Sequence, residues 1–332
     1  MWIAQVVFDV MEVFDASEVI RKSVKNPVKR FPARYDHRCQ RVGELVKDEL
    51  ELLVPRMEGA MPIQPGSKVF TIGSCFARSV EKALSEIGDF LLPTRKFSTP
   101  NTESPNAPND LLNEYNPGSM AQRIGRAMDG LGCSTSAIAG QGEECIDLLL
   151  PGGSVVTYDR LMERRAEIDA IYSELPTSDT LILTLGLIES WFDVEDGLYL
   201  NRMPPFPVVE KNPGRFKFVR FDVDSSYELL GEAISRVEES EVSNLFITVS
   251  PVPLQTTFFG GDAIISNSYS KSVLRVCAER LVRDFAFVSY FPSFEIVSSG
   301  GLSSFVDDNV HVKDCVVAHI MRGFLTKPNV FP

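Results

Sequence analysis

Val69-Phe70-Thr71-Ile72-Gly73-Ser74-Cys75-Phe76-Ala77 passes from a short apolar run through a Gly-Ser step into residues of helical character. A short apolar run closed by turn residues fits a strand buried on both faces, and the Gly-Ser step fits a sharp corner into a helix. Such a corner can lift Ser74 out of the sheet edge and turn backbone N–H groups toward an oxyanion. The same residue pair also serves as a helix N-cap or as a phosphate-cradling loop, so these readings stand side by side on the residues alone.

Outward from this stretch, apolar runs suited to buried strands alternate with segments whose apolar residues recur at helical spacing. The predicted strands are 69–72, 180–185, 244–249 and 286–290. The predicted helices are 76–87, 119–128, 160–175, 226–237, 270–282 and 312–325. This alternation predicts an α/β fold, a three-layer α/β/α sandwich around a parallel sheet. Ligands of such sheets sit beyond the carboxyl ends of the strands, where Ser74, Gly186 and Ser250-Pro251 fall.

Residues 1–66, rich in charge, are expected to form a helical N-terminal arm, and residues 67–332 the α/β domain. Two segments resemble insertions: 94–117, dense in Pro, Asn, Ser and Thr, and 191–221, which mixes aromatics with Pro and Gly and fits a substrate wall.

Composition narrows the function. Among 332 residues, 45 acidic side chains against 33 basic ones leave a formal charge of −12, which disfavours nucleic acid and anionic membrane as partners. The first fourteen residues carry Asp9 and Glu12 and no early Lys or Arg, so they lack a secretory n-region, and a cytoplasmic location is expected. Six scattered cysteines without CxxC spacing read as free thiols, and no apolar run is long enough to span a bilayer. With three dispersed histidines there is no conventional zinc set, and neither a Walker loop nor GxGxxG follows a predicted strand, so no metal and no cofactor are expected. The oligomeric state cannot be read from the sequence.

The three histidines are His37 in the charged arm, His319 within the last predicted helix, and His311 in the polar stretch Asp307-Asp308-Asn309. His319 reads as a packed or surface helical residue. His311 suits a general base, with Asp308 three residues earlier to orient it if the loop turns back on itself. Alternatively, Asp308 caps the last helix. Cys75, following Ser74, should turn toward the helix and core and pack there rather than act as nucleophile.

Gly73-Ser74-Cys75-Phe76-Ala77 resembles the signature of the GSCFA family, a branch related to the SGNH or GDSL hydrolases. Further blocks are similar in the same order: Thr184 to Trp191, Thr248 to Leu254, Asn267 to Arg275 and Tyr290 to Val297. The resemblance covers roughly 67–325. It implies a flavodoxin-like sandwich of the SGNH kind, Ser74 as nucleophile, and Asp308 with His311 as orienter and base. It also implies a serine-dependent acyl-ester hydrolase or acyltransferase. Acylated sugars or glycoconjugates, as in bacterial polysaccharide metabolism, are the substrate the wider superfamily suggests.

One departure matters. SGNH enzymes present a Gly from a second block and an Asn from a third beside the nucleophile, whereas here Gly186 is followed by Leu187, Ile188 and Glu189 with no Asn. A donor must therefore come from elsewhere, and Asn116-Pro117-Gly118-Ser119 is the expected substitute for the second block, because it ends the long loop and opens a helix whose N–H groups and dipole favour negative charge. The expected oxyanion and substrate contacts are therefore Gly73, Asn116, Gly118, Gly186, Glu189 and Lys271. Glu189 reads equally as a solvated loop charge, and Lys271 with Arg275 as surface cations. The alternative to an enzyme is a non-catalytic module binding a glycan or partner protein through 191–221. A third reading is a transferase for nucleotide-linked or phosphorylated substrates, with Lys271, Arg215 and Arg220 holding the anion.

Overall fold

A computed structural model describes residues 15–25, 44–45, 50–55, 63–104, 109–132 and 134–325. Residues 1–44 and 45–332 form separate compact units. Within the first, Ala16–Lys25 is a helix carrying an i,i+4 pair between Glu18 and Lys22. Much of the expected arm, including Lys29, Arg30, His37, Lys47 and Asp48, lies outside the described residues.

The larger unit is built on four parallel strands: β1 (Val69–Gly73), β2 (Thr180–Leu185), β3 (Asn244–Val249) and β4 (Val288–Tyr290). They lie in the order β4-β3-β2-β1. Register is set by Val69 opposite Thr180, Asn244 opposite Thr180, and Leu245 opposite Val288. Beyond β1, Leu91 forms a single parallel bridge to Lys68, with Val69 N–H donating to Leu91 O at 2.8 Å. Counting that bridge as the second strand gives the order 2-1-3-4-5, the flavodoxin-like arrangement.

Side chains alternate between the two faces with period two. Phe70, Ile72, Leu181, Leu183, Leu245, Ile247 and Val249 point to one side. There they meet α2 (Pro117–Met128), α3 (Tyr158–Tyr172), α4 (Val223–Glu238) and α5 (Ala263–Asp284). Val69, Ile182 and Phe246 point the other way, onto α1 (Cys75–Ile87), α6 (Ser293–Ser299) and α7 (Asp314–Leu325). Leu52 and Ile63 join this second core layer. Because both faces are covered, the strands read as continuous apolar runs rather than alternating ones.

Local chemistry sets the helix starts. Asn116 and Thr157 accept hydrogen bonds from the N–H of Ser119 and Arg160, and Asp222 and Ser225 form a reciprocal capping box. Several elements lie outside those predicted, among them the short helix Phe206–Lys211 and the two described next. The hairpin Ile138–Gln141/Glu144–Asp147 packs beside the strands Glu189–Asp193, Leu198–Leu200 and Phe216–Arg220, which form a three-stranded antiparallel sheet. The second is the short helix α6 after Pro292. Between 94 and 117, the described residues hold only 3-10 turns at Pro93–Lys96 and Asp110–Leu112 before the helix begins.

Gly73 ends β1 with φ +150°, and a Cβ there would lie 2.4 Å from the carbonyl oxygen of Thr184 on β2. Neither the backbone conformation nor the gap between strands admits a side chain. Gly73→Ala is therefore expected to lower unfolding free energy by about 1–3 kcal/mol. Urea unfolding measures it, and a midpoint equal to that of the wild type contradicts the argument.

Candidate active site

Three strand ends meet at one edge of the sheet. Ser74 follows β1 and Gly186 follows β2. Ser250 follows β3, with its N–H donating to Leu185 O at 2.8 Å. A Cβ on Gly186 would stand 3.4 Å from Ser74 Cβ and 2.6 Å from Tyr115 O, so the absent side chain lets these segments close on one another.

Ser74 occupies the N-cap position of α1, yet its hydroxyl makes no capping bond to the helix. It donates instead to Ser250 Oγ at 2.9 Å. Only 3% of Ser74 is exposed, at the base of a cleft of ≈ 1220 Å³. Cys75, Asn113, Tyr115, Gly186, Leu187, Leu254 and His311 also line this cleft, and Arg78, Lys82 and Arg95 contribute cations to it.

His311 lies on a tight turn. Asn309 adopts φ +57°, the Asp308 carboxylate accepts the N–H groups of Val310 at 2.8 Å and His311 at 2.9 Å, and Val306 N–H donates to His311 O. The turn brings Asp308 Oδ2 to 2.6 Å from His311 Nδ1. Helix α7 starts only at Asp314, so Asp308 is engaged with the turn and the imidazole rather than with a helix end. Both side chains are well exposed, His311 at 57%. Among the described residues no hydrogen bond joins His311 to Ser74; the two share the cleft.

The other expected contacts are distributed unevenly. Asn116 is used as the N-cap of α2, and Gly118 packs against the Tyr199 ring; neither lines the Ser74 cleft. Asn113, three residues earlier, does line it. Asn113 is 2% exposed; its Oδ1 is buried without a hydrogen-bond partner, and its Nδ2, the atom able to donate, faces Tyr115 Oη at 3.5 Å. Sequence reasoning missed Asn113 because nothing local separates it from the neighbouring asparagines. Glu189 accepts from Thr257 Oγ1 at 2.6 Å and from Phe258 N–H at 2.9 Å, tying the loop after β3 to the antiparallel sheet.

Lys271 is not a surface cation. It is 3% exposed and donates from Nζ to Gly186 O at 2.7 Å, and burial pushes its ammonium down to about 7. Arg275 diverges from it toward Glu279 and Glu295. Arg215 is bound to Asp193, Glu195 and Asp196, and Arg220 stacks over Phe259 and Tyr269, so these cations do not converge with Lys271 on one anion site. Cys75 is half-buried, and its thiol is pushed up to about 11 by burial, which leaves it protonated near neutrality. Cys145, Cys277 and Cys315 are also free thiols, while Cys39 and Cys133 lie outside the described residues. Among the described residues no cluster of three or more His, Cys, Asp or Glu is placed to hold a metal, and no helix is long and apolar enough to cross a membrane.

The sequence pattern of the GSCFA family matches residues 68–324. No curated protein matches the chain. Among solved structures, a catalytic serine-to-alanine mutant of Axe2, an acetylxylan esterase from Geobacillus stearothermophilus, is 14% identical. It aligns over 80% of this chain and 96% of its own with a TM-score of 0.32. A catalytic aspartate-to-alanine mutant of the same enzyme is 12% identical over 82% of this chain and 100% of its own, with a TM-score of 0.33. An arginine-to-alanine mutant, described as an acetyl-xylooligosaccharide esterase, is 14% identical over the same shares with a TM-score of 0.33. At such scores the likeness carries no argument about the chemistry of this chain.

The Asp308 carboxyl is held down from 3.8 to about 2, first by the His311 ring and then by the N–H groups of His311 and Val310. A folded value below the ordinary one means that this contact contributes stability above pH 3.8 and loses it as pH falls from there toward 2. An NMR titration should place the Asp308 midpoint near 2 in the wild type and higher in His311→Ala. Equal midpoints would show that the imidazole is not the cause.

Proposed function

The chain belongs to the GSCFA family, and from that membership and the cleft geometry we propose that it is a serine-dependent acyl-ester hydrolase or acyltransferase. Ser74 is the nucleophile, His311 the general base, and Asp308 the residue that orients the imidazole. One observation carries the reading. Ser74 and His311 line the same cleft, and His311 Nδ1 is taken up by Asp308 at 2.6 Å, which leaves Nε2 as the ring nitrogen free to receive a proton.

The Ser74 hydroxyl leaves Ser250 Oγ and turns toward His311 as the exposed turn carrying the imidazole closes. Ser74 Oγ attacks the ester carbonyl carbon while its proton passes to His311 Nε2. The carbonyl π electrons move to oxygen, beside the N–H groups at the start of α1 and the Asn113 amide. Collapse of the tetrahedral adduct expels the alcohol, which takes the proton from His311 and leaves an acyl-serine. Water or an acceptor hydroxyl then repeats the sequence in reverse, its proton passing to His311 and on to Ser74 Oγ. Orientation by Asp308 keeps the imidazole in one tautomer throughout.

The substrate is a small-molecule or glycan ester, with acylated sugars or glycoconjugates the favoured class. A cleft of ≈ 1220 Å³, with Asn109, Asn113, Gln255 and Thr256 beside Leu111, Leu187 and Leu254, has room and hydrogen-bonding groups for a glycan ester.

A second reading is a non-catalytic glycan- or partner-binding module on the same fold. It is favoured by the hydrogen bond from Ser74 to Ser250 in place of one to His311. A fluorophosphonate probe separates the two, because only an activated serine reacts. Labelling at Ser74 that disappears in Ser74→Ala and His311→Ala is expected of the enzyme, and an unlabelled wild type decides for the binding module. Asn113→Ala is expected to lower kcat by roughly 10²–10³-fold on a turned-over ester, the usual effect of removing one oxyanion donor. Unchanged kcat in steady-state assays removes Asn113 from that role.

A further inference from the structure

We infer that Lys271 is a positioning residue for the Ser74 site, its enclosed ammonium holding the Gly186 carbonyl and, through that peptide, the wall of the cleft facing the nucleophile. The inference rests on the reading of Ser74 as nucleophile.

The contacts form a continuous chain. Lys271 Nζ donates to Gly186 O at 2.7 Å, and the N–H on the other side of that peptide, from Leu187, donates to Tyr115 O at 2.8 Å. Glu114 N–H in turn donates to Gly73 O at 2.8 Å, so the segment carrying Asn113 and Tyr115 is stitched to the strand ends on both sides of Ser74. The preceding helix residue adds a second anchor, Ser270 Oγ accepting from Ile188 N–H at 3.2 Å. Helix α5 thus grips the turn after β2 at two successive peptides.

Holding a carbonyl does not require a charge, and the charge is costly here. Lys271 is 3% exposed, and among the described residues no carboxylate pairs with it. Burial disfavours the ammonium, so its proton is held less firmly than on an exposed lysine, and a methionine of similar length would fill the space with no charge to bury. What the charge supplies is a field. In its protonated state, placed behind Gly186 in a region of low polarisability, it favours negative charge developing on Ser74 or on the carbonyl oxygen it attacks. The titratable group facing it is the Cys75 thiol, which stays protonated near neutrality and so does not neutralise it. This charge adds to the N–H groups at the start of α1 and the Asn113 amide, in a chain that has no asparagine after Gly186.

The experiment compares the full-length chain with Lys271→Met in three measurements: thermal unfolding, the rate of fluorophosphonate labelling, and kcat and KM on a turned-over ester. The expected result is a melting temperature equal to or above the wild type, labelling and kcat each reduced by about 10- to 100-fold, and KM within about twofold of the wild type. Labelling and kcat at wild-type levels overturn the inference, as does a loss of kcat accompanied by a lowered melting temperature, which a purely structural lysine would give. The underlying reading fails separately: if the wild type itself is not labelled, Ser74 is not an activated nucleophile and the positioning role falls with it.

Discussion

The closeness of β1 and β2 at their carboxyl ends is the constraint from which the rest follows. Gly73 and Gly186 have no room for a Cβ, because the Thr184 carbonyl stands 2.4 Å from the first position and the Tyr115 carbonyl 2.6 Å from the second. Removing two side chains lets the backbones meet, and the meeting places Ser74, Gly186 and Ser250 around one point. Longer residues would push the strand ends apart and open a gap where Ser74 now sits.

Near that point several charged side chains are buried in pairs. Arg78 pairs with Glu81 at 2.9 Å and donates to Thr71 O, while Glu81 also accepts from Thr94 and Asn109. This cluster ties α1 to β1 and to the loop that closes over it, so the helix bearing Ser74 at its start has a fixed direction. Nearby, Glu114 pairs with Arg123, and burial pushes its carboxyl up to about 7. Lys271 differs from both, since a carbonyl is what it holds. Paired groups of this kind specify geometry, whereas an ammonium with no carboxylate beside it contributes mainly a field.

Asp308 and His311 stand on an exposed turn held by a few short-range hydrogen bonds, while Ser74 is enclosed. The proposed nucleophile thus belongs to the enclosed sheet edge and the proposed base to a surface turn held by local hydrogen bonds.

The secondary elements were legible because burial on both faces writes strands as unbroken apolar runs and helices as periodic ones. The strands predicted at 69–72, 180–185 and 244–249 lie within those observed, and the helix predicted at 270–282 lies inside a longer one starting at Ala263. The hairpin at 138–147 was not legible, since its strands are short and half exposed and their apolar residues too few to form a pattern. The strand-end serine and the Asp308-His311 spacing were likewise open to inspection, because a strand-to-helix corner and an i,i+3 contact are local. What lay beyond the sequence was every choice among equivalent residues. That Asn113 rather than Asn116 lines the cleft, that Lys271 meets the Gly186 carbonyl while Arg275 pairs with Glu279 and Glu295, and that the Ser74 hydroxyl meets Ser250 are decided by contacts between segments up to nearly two hundred residues apart. Such pairings arise only when the sheet closes and the helices settle on it, because no local preference distinguishes one asparagine or one lysine from the next.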